Sequence, residues 1–358
     1  MLHLLYLAAA LFGGRFFGSS KAWGLVACLW LVSPMAEARP PHYLLPHPET
    51  PVTLLSVGRT TYLITAHSVL ELKKRQPILR YHSTSPVRCA LATDSVLWLG
   101  TEQGLLQLRR QHASAEWAAQ PVAAPGPAPI TMLTADASGT VWVGVAGYGV
   151  YHLQGQGLRS VLQIPAVTAG LTTADSSVWV GTNLGLHRWQ HGIWTRYNEE
   201  GVANYEIPDN LVEQLVLDNN GSLWVFMSDA ITVFEHPTRP AIGTGHLPTV
   251  KYLGQPNNTV YSVVYLPGRG HLFATALGLL LLPAQHAGEL AHFENATDQV
   301  ETPQVLVPLM VAGTAVKGPC LLRVDAQQRI WVVQAGEVQV WRAQDLQPAP
   351  VLGTLPKA

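Results

Sequence analysis

Between Ile130 and Leu153 the sequence alternates apolar runs with short polar or glycine-rich breaks, reading ITMLTADASGTVWVGVAGYGVYHL. Asp136-Ala137-Ser138-Gly139 separates the first run from Thr140-Val141-Trp142-Val143-Gly144. Ala146-Gly147-Tyr148-Gly149 separates that run from Val150-Tyr151-His152-Leu153. Short runs rich in Val, Ile and aromatic residues, bounded by Gly, Asp and Ser, predict strands joined by tight turns. Three strands alone leave both sheet faces uncovered, so a unit of this kind needs neighbours.

The pattern supplies them by recurring. Asp94 to Leu105 and Asp175 to Leu186 repeat it closely, each with Val-x-Trp or Val-Trp followed by Gly-Thr and Gly-Leu. Asp218 to Val225 is a further copy, and Asp325 to Trp341 another, centred on Trp331. Two eroded copies place Tyr62 and Leu272 at the tryptophan position. The seven key positions are Tyr62, Trp98, Trp142, Trp179, Trp224, Leu272 and Trp331. A period of about 40 to 45 residues built from short strands predicts an all-β fold, a single seven-bladed β-propeller of four-stranded antiparallel blades.

The motif Asp-x-x-Gly-x-x-Trp-Val-Gly-Thr-x-x-Gly-Leu resembles the two-component regulator propeller repeat. Trp194-Thr195-Arg196-Tyr197-Asn198, Gly201-Val202, Asn204 and Asn210-Leu211-Val212 are similar to that family's linker between blades. The resemblance covers about residues 50–345 and concerns the propeller part only. It implies the periplasmic sensor part of a hybrid two-component system. The second propeller, immunoglobulin-like domain, membrane helix and kinase of family members have no counterpart in these residues. A signalling role therefore implies a kinase outside them.

The first residues follow a different pattern. A basic flank at Lys21, an apolar core from Ala22 to Val32 and Ala36-Glu37-Ala38 predict a secretory signal peptide over 1–38, cleaved after Ala38. A lipoprotein anchored at Cys28 is a second reading, and an uncleaved membrane leader a third. Residues 39–49 follow as an N-terminal segment, 50–353 as the propeller and 354–358 as a tail. The expected location is secreted or periplasmic.

Charged residues make up 13% of the chain and apolar residues 48%, which suits strands buried between adjacent sheets. Net charge is −1 and Lys and Arg form no stripe, so nucleic-acid binding has no electrostatic basis. Proline-rich breaks at Pro121 to Pro129, Pro237 to Pro248 and Pro303 to Pro319 read as crossings between blades. Glu289 to Phe293 reads as the outer strand of blade six. Either Pro350-Val351-Leu352 or Tyr43-Leu44-Leu45 completes the last blade. Cys89 and Cys320 fall in the inner strands of blades two and seven, which blade one separates, so they are expected to stay unbridged.

The tryptophans Trp98, Trp142, Trp179, Trp224 and Trp331 read as core packing between blades rather than stacking platforms. Gly100, Gly144 and Gly181 follow Trp98, Trp142 and Trp179 by two residues, where close sheet approach excludes a side chain. The turn aspartates Asp94, Asp136, Asp175, Asp218 and Asp325 are expected to cap their own turns. No metal site, cofactor or catalytic residue is assigned, because no ligand spacing or nucleophile motif occurs. The turns between strands two and three and the crossings between blades gather on one face around the channel. The ligand-binding candidates on that face are His67, Glu102, Gln103, Tyr148, Asn183, Asp229, Tyr205 and Asn210. The function expected is a non-catalytic platform for a carbohydrate, another small ligand, or a partner protein such as a sensor kinase. A propeller enzyme, lyase or glycan-acting hydrolase, and a structural or assembly role are the alternatives.

Overall fold

The computed structural model describes residues 41–58, 60–73, 76–93, 96–110, 117–199, 207–228, 230–234, 237, 249–253, 259–284, 306–311, 313–316 and 318–349. Their strands form seven antiparallel sheets, six of four strands and one of five. Blade three shows the plan. Ile130–Ala135 is innermost, followed outward by Val141–Val145, Gly149–Gln154 and Gly157–Leu162. The seven-bladed propeller read from the repeats is the fold observed.

Position within the blade explains the composition of each strand. The second strand is covered on both faces by neighbouring blades, so Val141–Val145, Val178–Thr182 and Leu223–Met227 are buried at every residue. The outer strands Gln76–His82 and Gly157–Leu162 mix exposed and half-buried positions. Seven apolar clusters fill the seven blade-to-blade gaps, and the burial of their side chains is what holds the ring. Between blades four and five, for example, Trp179, Leu186 and Tyr197 pack on Ile207, Val212, Leu223 and Val225.

The repeated tryptophans sit in these gaps. Trp142 and Trp179 are fully buried, and Trp224, Trp98 and Trp331 nearly so. Each glycine two residues later lets the next blade close in. A Cβ on Gly144 would stand 2.8 Å from Val167 Cγ1, and one on Gly181 2.6 Å from Val212 Cγ1. On Gly100 it would meet Cys89 Sγ and Ile130 Cγ2.

The turn aspartates cap their turns and do one thing more. Asp136 Oδ1 accepts from the backbone N–H of Ser138 and Thr140, while Oδ2 accepts from the Trp142 indole at 3.0 Å. Asp218 and Asp325 accept the indole N–H of Trp224 and Trp331 in the same way, each at 2.9 Å. The acceptor stands six residues before the tryptophan. In blade four that position is Thr173, and the Trp179 indole donates to its hydroxyl at 3.2 Å. Asp175 lies two residues closer and accepts from Thr173 and Ser177 instead. In blade two the position is Ala92, and the Trp98 indole nitrogen has no hydrogen-bond partner among the described residues. Asp94 lies outside them.

Ring closure uses both ends of the chain. His42–Leu44 is the outer strand of blade seven, paired with Glu337–Arg342, so the Tyr43 segment completes that blade. Residues 350–352 lie outside the described residues. Leu346–Pro348 instead adds a fifth strand to blade six.

Two expectations are corrected. The outer strand of blade six is Val307–Val311, pairing with Gly278–Pro283; residues 289–293, read as that strand, lie outside the described residues. The break at 303–319 therefore contains a strand rather than a crossing alone. Likewise, Thr249–Leu253 pairs with Ala230–Phe234, so the break at 237–248 falls inside blade five, between its third and fourth strands. The repeat motif fixes strands two and three through their buried tryptophan and turn glycine. An outer strand meets solvent at its edge and carries no comparable constraint.

Cys89 and Cys320 are both free. They lie in the inner strands Val87–Ala92 of blade two and Cys320–Val324 of blade seven. Burial pushes each thiol up to about 12.

Candidate functional site

In blades one, two, four and six the turns between strands two and three share one construction. Strand two ends in a threonine whose hydroxyl folds back over its own turn. Thr101 Oγ1 donates to Gly104 O and accepts the Gln103 N–H, and Thr182 Oγ1 does the same with Gly185 O and the Leu184 N–H. Thr275 repeats this in blade six, and Thr65 does so with Ser68 in blade one. These side-chain clips satisfy the turn locally and leave the residues between them facing outward. The glycine that follows is required. Gly185 has φ +109°, and a Cβ there would stand 2.2 Å from Tyr197 O of the outer strand.

Each turn is then stitched to the crossings. Glu102 N–H donates to Pro86 O, Ala146 N–H to Pro129 O and Gly147 N–H to Pro165 O. Asn183 N–H donates to Ala166 O and Gly185 N–H to Asn210 O. Over blades two to four the face expected to carry the site is thus a hydrogen-bonded rim with projecting tips.

Over blades one to three the candidates gather round one cleft. Its volume is about 380 Å³, and it lies between the crossing from blade one to two (Ser83, Thr84, Ser85) and the crossing from blade two to three (Ala124, Gly126, Pro127). Gln103 lines it directly, with Tyr81, Thr101, Leu105 and Pro121. His67 stands behind it, its Nδ1 3.1 Å from Ser83 O. Tyr148 stands over its far wall, since a Cβ on Gly126 would lie 2.6 Å from the Tyr148 hydroxyl. Glu102 turns the other way and pairs with Arg88 at 2.5 Å.

Behind His67 the blade-one turn is anchored by Glu49, which the sequence reading passed over. Its carboxylate accepts from Thr65 Oγ1 at 2.5 Å, from Ser68 Oγ at 2.8 Å and from the His67 N–H at 3.0 Å. Burial would raise this carboxyl, but the three donors outweigh it and hold it below its ordinary value. No spacing signal pointed to Glu49, because its partners lie in the next blade along the chain.

Over blades four and five the face differs. Asn183 is exposed at its tip, while Asn210 is a latch. Its Oδ1 accepts the Glu199 N–H, and its backbone carbonyl accepts from Gly185 and Val212. Beside it two leucines project, Leu184 at 46% exposure and Leu211 at 40%. Tyr148 in blade three, at 42%, and Leu277 in blade six, at 64%, extend this apolar set round the same face. The polar candidates had been sought at these tips; the exposed leucines beside them had not. Tyr205 and Asp229 lie outside the described residues.

Chemically the face is quiet. Among the described residues no group of three or more His, Cys, Asp and Glu side chains is placed to hold a metal ion. Two acid–imidazole contacts occur among the described residues: His42 Nε2 to Glu337 Oε2 at 2.9 Å joins the outer two strands of blade seven, and His271 Nε2 to Asp218 Oδ2 at 3.2 Å lies on the opposite face under Trp224. His187 is buried in blade four, and burial first, then Arg196, brings its imidazole down to about 4. No helix among the described residues is long and apolar enough to cross a membrane.

No protein-family model matches the chain, and no curated protein does. Solved structures do resemble it. The extracellular domain of BT4673 from B. thetaiotaomicron, described as belonging to a hybrid two-component system, superposes with TM-score 0.58 at 15% identity. That match covers 85% of this chain and 39% of the other. The extracellular domain of BT3049 from the same organism gives 0.56 at 14%, covering 86% and 41%. This chain therefore spans about two fifths of the length of those domains. YCF48 bound to D1 peptide gives 0.55 at 12%, covering 84% of this chain and 96% of that one. At these identities the likeness is one of fold, and it is the propeller part that is shared.

Proposed function

We propose that this propeller is a non-catalytic, extracytoplasmic binding platform, the ligand- or partner-receiving part of a sensor. The observation that carries the reading is the turn-and-crossing face. There Tyr148 and Leu184 project from the turns of blades three and four and Leu211 from the crossing into blade five, the Leu184 turn clipped by Thr182 and the other two held by Tyr148 N–H to Val145 O and Leu211 N–H to Asp209 Oδ1. Large apolar side chains held in water by a rigid frame are the feature of an interaction surface. The fold likeness to extracellular domains of two-component systems supports the sensor assignment, and a propeller of this fold bound to a peptide supports the use of the scaffold for partners. The signal-peptide pattern over 1–38 supports export, with the mature chain secreted or periplasmic and the kinase on another segment or chain.

The test is a pull-down from the native organism with three baits: the parent, Leu184→Asp with Leu211→Asp, and Ile193→Asp on the outer strand of blade four. Ile193 is 68% exposed and far from the face, so it controls for charge alone. A partner captured by the parent and the Ile193 variant but lost by the leucine variant supports the reading. Equal capture by all three refutes the face. Cell fractionation and the mass of the mature N-terminus test export separately.

A further inference from the structure

We propose that the cleft over blade two is a binding site selective for uncharged polar small molecules. This deepens the ligand-receiving half of the platform reading. It stands on different residues from the leucine tips.

The cleft is large enough for a monosaccharide-sized compound, about 380 Å³, and its lining has a consistent chemistry. Its polar side chains are hydroxyls and one carboxamide: Tyr81, Ser83, Thr84, Ser85, Thr101 and Gln103. No Asp, Glu, Lys, Arg or His lines it. Two charged side chains near it are matched elsewhere. Arg80 pairs with Glu71 at 2.7 Å, and Arg88 with Glu102 at 2.5 Å. A charged ligand entering here would lose hydration and find no counter-charge, whereas a neutral one finds donors and acceptors.

One of those groups is waiting for a partner. Ser85 is 5% exposed, and its hydroxyl has no hydrogen-bond partner among the described residues. Its neighbour Ser83 is spent, donating to Ser85 O at 2.6 Å. A buried hydroxyl without a partner costs free energy that a ligand can return. Leu105, Pro121 and Pro127 add apolar surface to the lining. A ligand with one hydrogen-bonding edge and one apolar face satisfies both.

The experiment keeps ring size constant and varies charge. N-acetylglucosamine carries an uncharged amide, glucosamine an ammonium and glucuronate a carboxylate. Each is titrated into the whole chain by saturation-transfer NMR and calorimetry. The expected result is millimolar binding of N-acetylglucosamine, with the two charged rings weaker by about tenfold or more. Gln103→Ala should weaken the neutral ligand about fivefold, and Ala124→Trp, which fills the cleft, should abolish its binding. A melting curve unchanged in both variants shows that they fold. Equal binding of a charged ring, binding that survives Ala124→Trp, or no binding of any of the three at millimolar concentration overturns the proposal. None of those results touches the leucine experiment, so the two readings fail separately.

Discussion

Replacing Trp179 by alanine separates the packing role of the repeat from the role of its tips. Trp179 is fully buried, packed at a tilt against Tyr197 and Phe234 with ring centroids 5.7 and 5.4 Å away, and Arg188 lies over its ring at 4.9 Å. An indole of this kind buries about 200 Å² of surface, worth about 5 kcal/mol at 25 cal/mol per Å². Large-to-small aromatic changes in cores cost about 3 to 5 kcal/mol, so the two routes agree. The lost indole N–H adds little, because its acceptor Thr173 Oγ1 still donates to Asp175 Oδ1 at 2.6 Å. In a domain of this size that loss lowers Tm by roughly 10 °C. Asn183→Ala, one residue beyond strand two's glycine-threonine end and exposed, should stay within about 0.5 kcal/mol and shift Tm by no more than about 2 °C. Thermal melts followed by circular dichroism and by calorimetry read both. A Trp179→Ala protein that melts with the parent would refute the inter-blade packing. An Asn183→Ala protein that melts as early as the tryptophan variant would refute the placement of the tip in solvent.

Gly181→Ala should destabilise by about 1 to 3 kcal/mol in chemical denaturation, because its Cβ would stand 2.6 Å from Val212 Cγ1 and force blade five outward. Asp218 gives a pH prediction. Burial would raise its carboxyl, but donation from His271, Trp224 and the Ser222 N–H outweighs burial and holds it below its ordinary 3.8. A depressed folded value means that the contribution is fully present above pH 4 or so and is lost as pH falls through the folded value. Asp218→Asn should therefore flatten the acid limb of Tm against pH below that point, and an unchanged limb would contradict the hydrogen bonds from Trp224, His271 and the Ser222 N–H to this carboxylate. Cys320, buried, and Cys89, half-buried, both pushed up to about 12, should resist iodoacetamide in the native protein and both react in denaturant. A native mass two hydrogens light would instead reveal a disulfide.

The parts of the fold visible in sequence are those where one residue type is physically forced. A tryptophan filling the gap between sheets, a glycine where the next inner strand closes in, and a turn glycine at φ near +110° admit few substitutes. Hence Trp142, Gly144 and Gly149 announced blade three, and their counterparts announced the rest. The indole–aspartate bond was half visible, since the aspartates were seen as turn caps but their second oxygen was not followed to the tryptophan six residues on. Outer strands were misplaced in blades five and six because partial exposure lets sequence vary there. The candidate site was legible as a face but not as a cleft. Gln103, the His67 anchor at Ser83 and the Tyr148–Gly126 contact come from three blades, and no local spacing brings them together.

The pairing of His42–Leu44 with Glu337–Arg342 has a temporal meaning. A chain synthesised from its N-terminus makes this strand before any blade and its partner after six of them. Throughout that interval the strand waits unpaired, and the side of blade one that meets blade seven, with Leu54, Leu63 and Leu70, stands open to water. Closure is therefore the last step available to the molecule rather than one it can take piecemeal. Until it occurs the nascent ring is sticky at both ends, and a chaperone that shields those leucines would act on the interval, not on the finished protein.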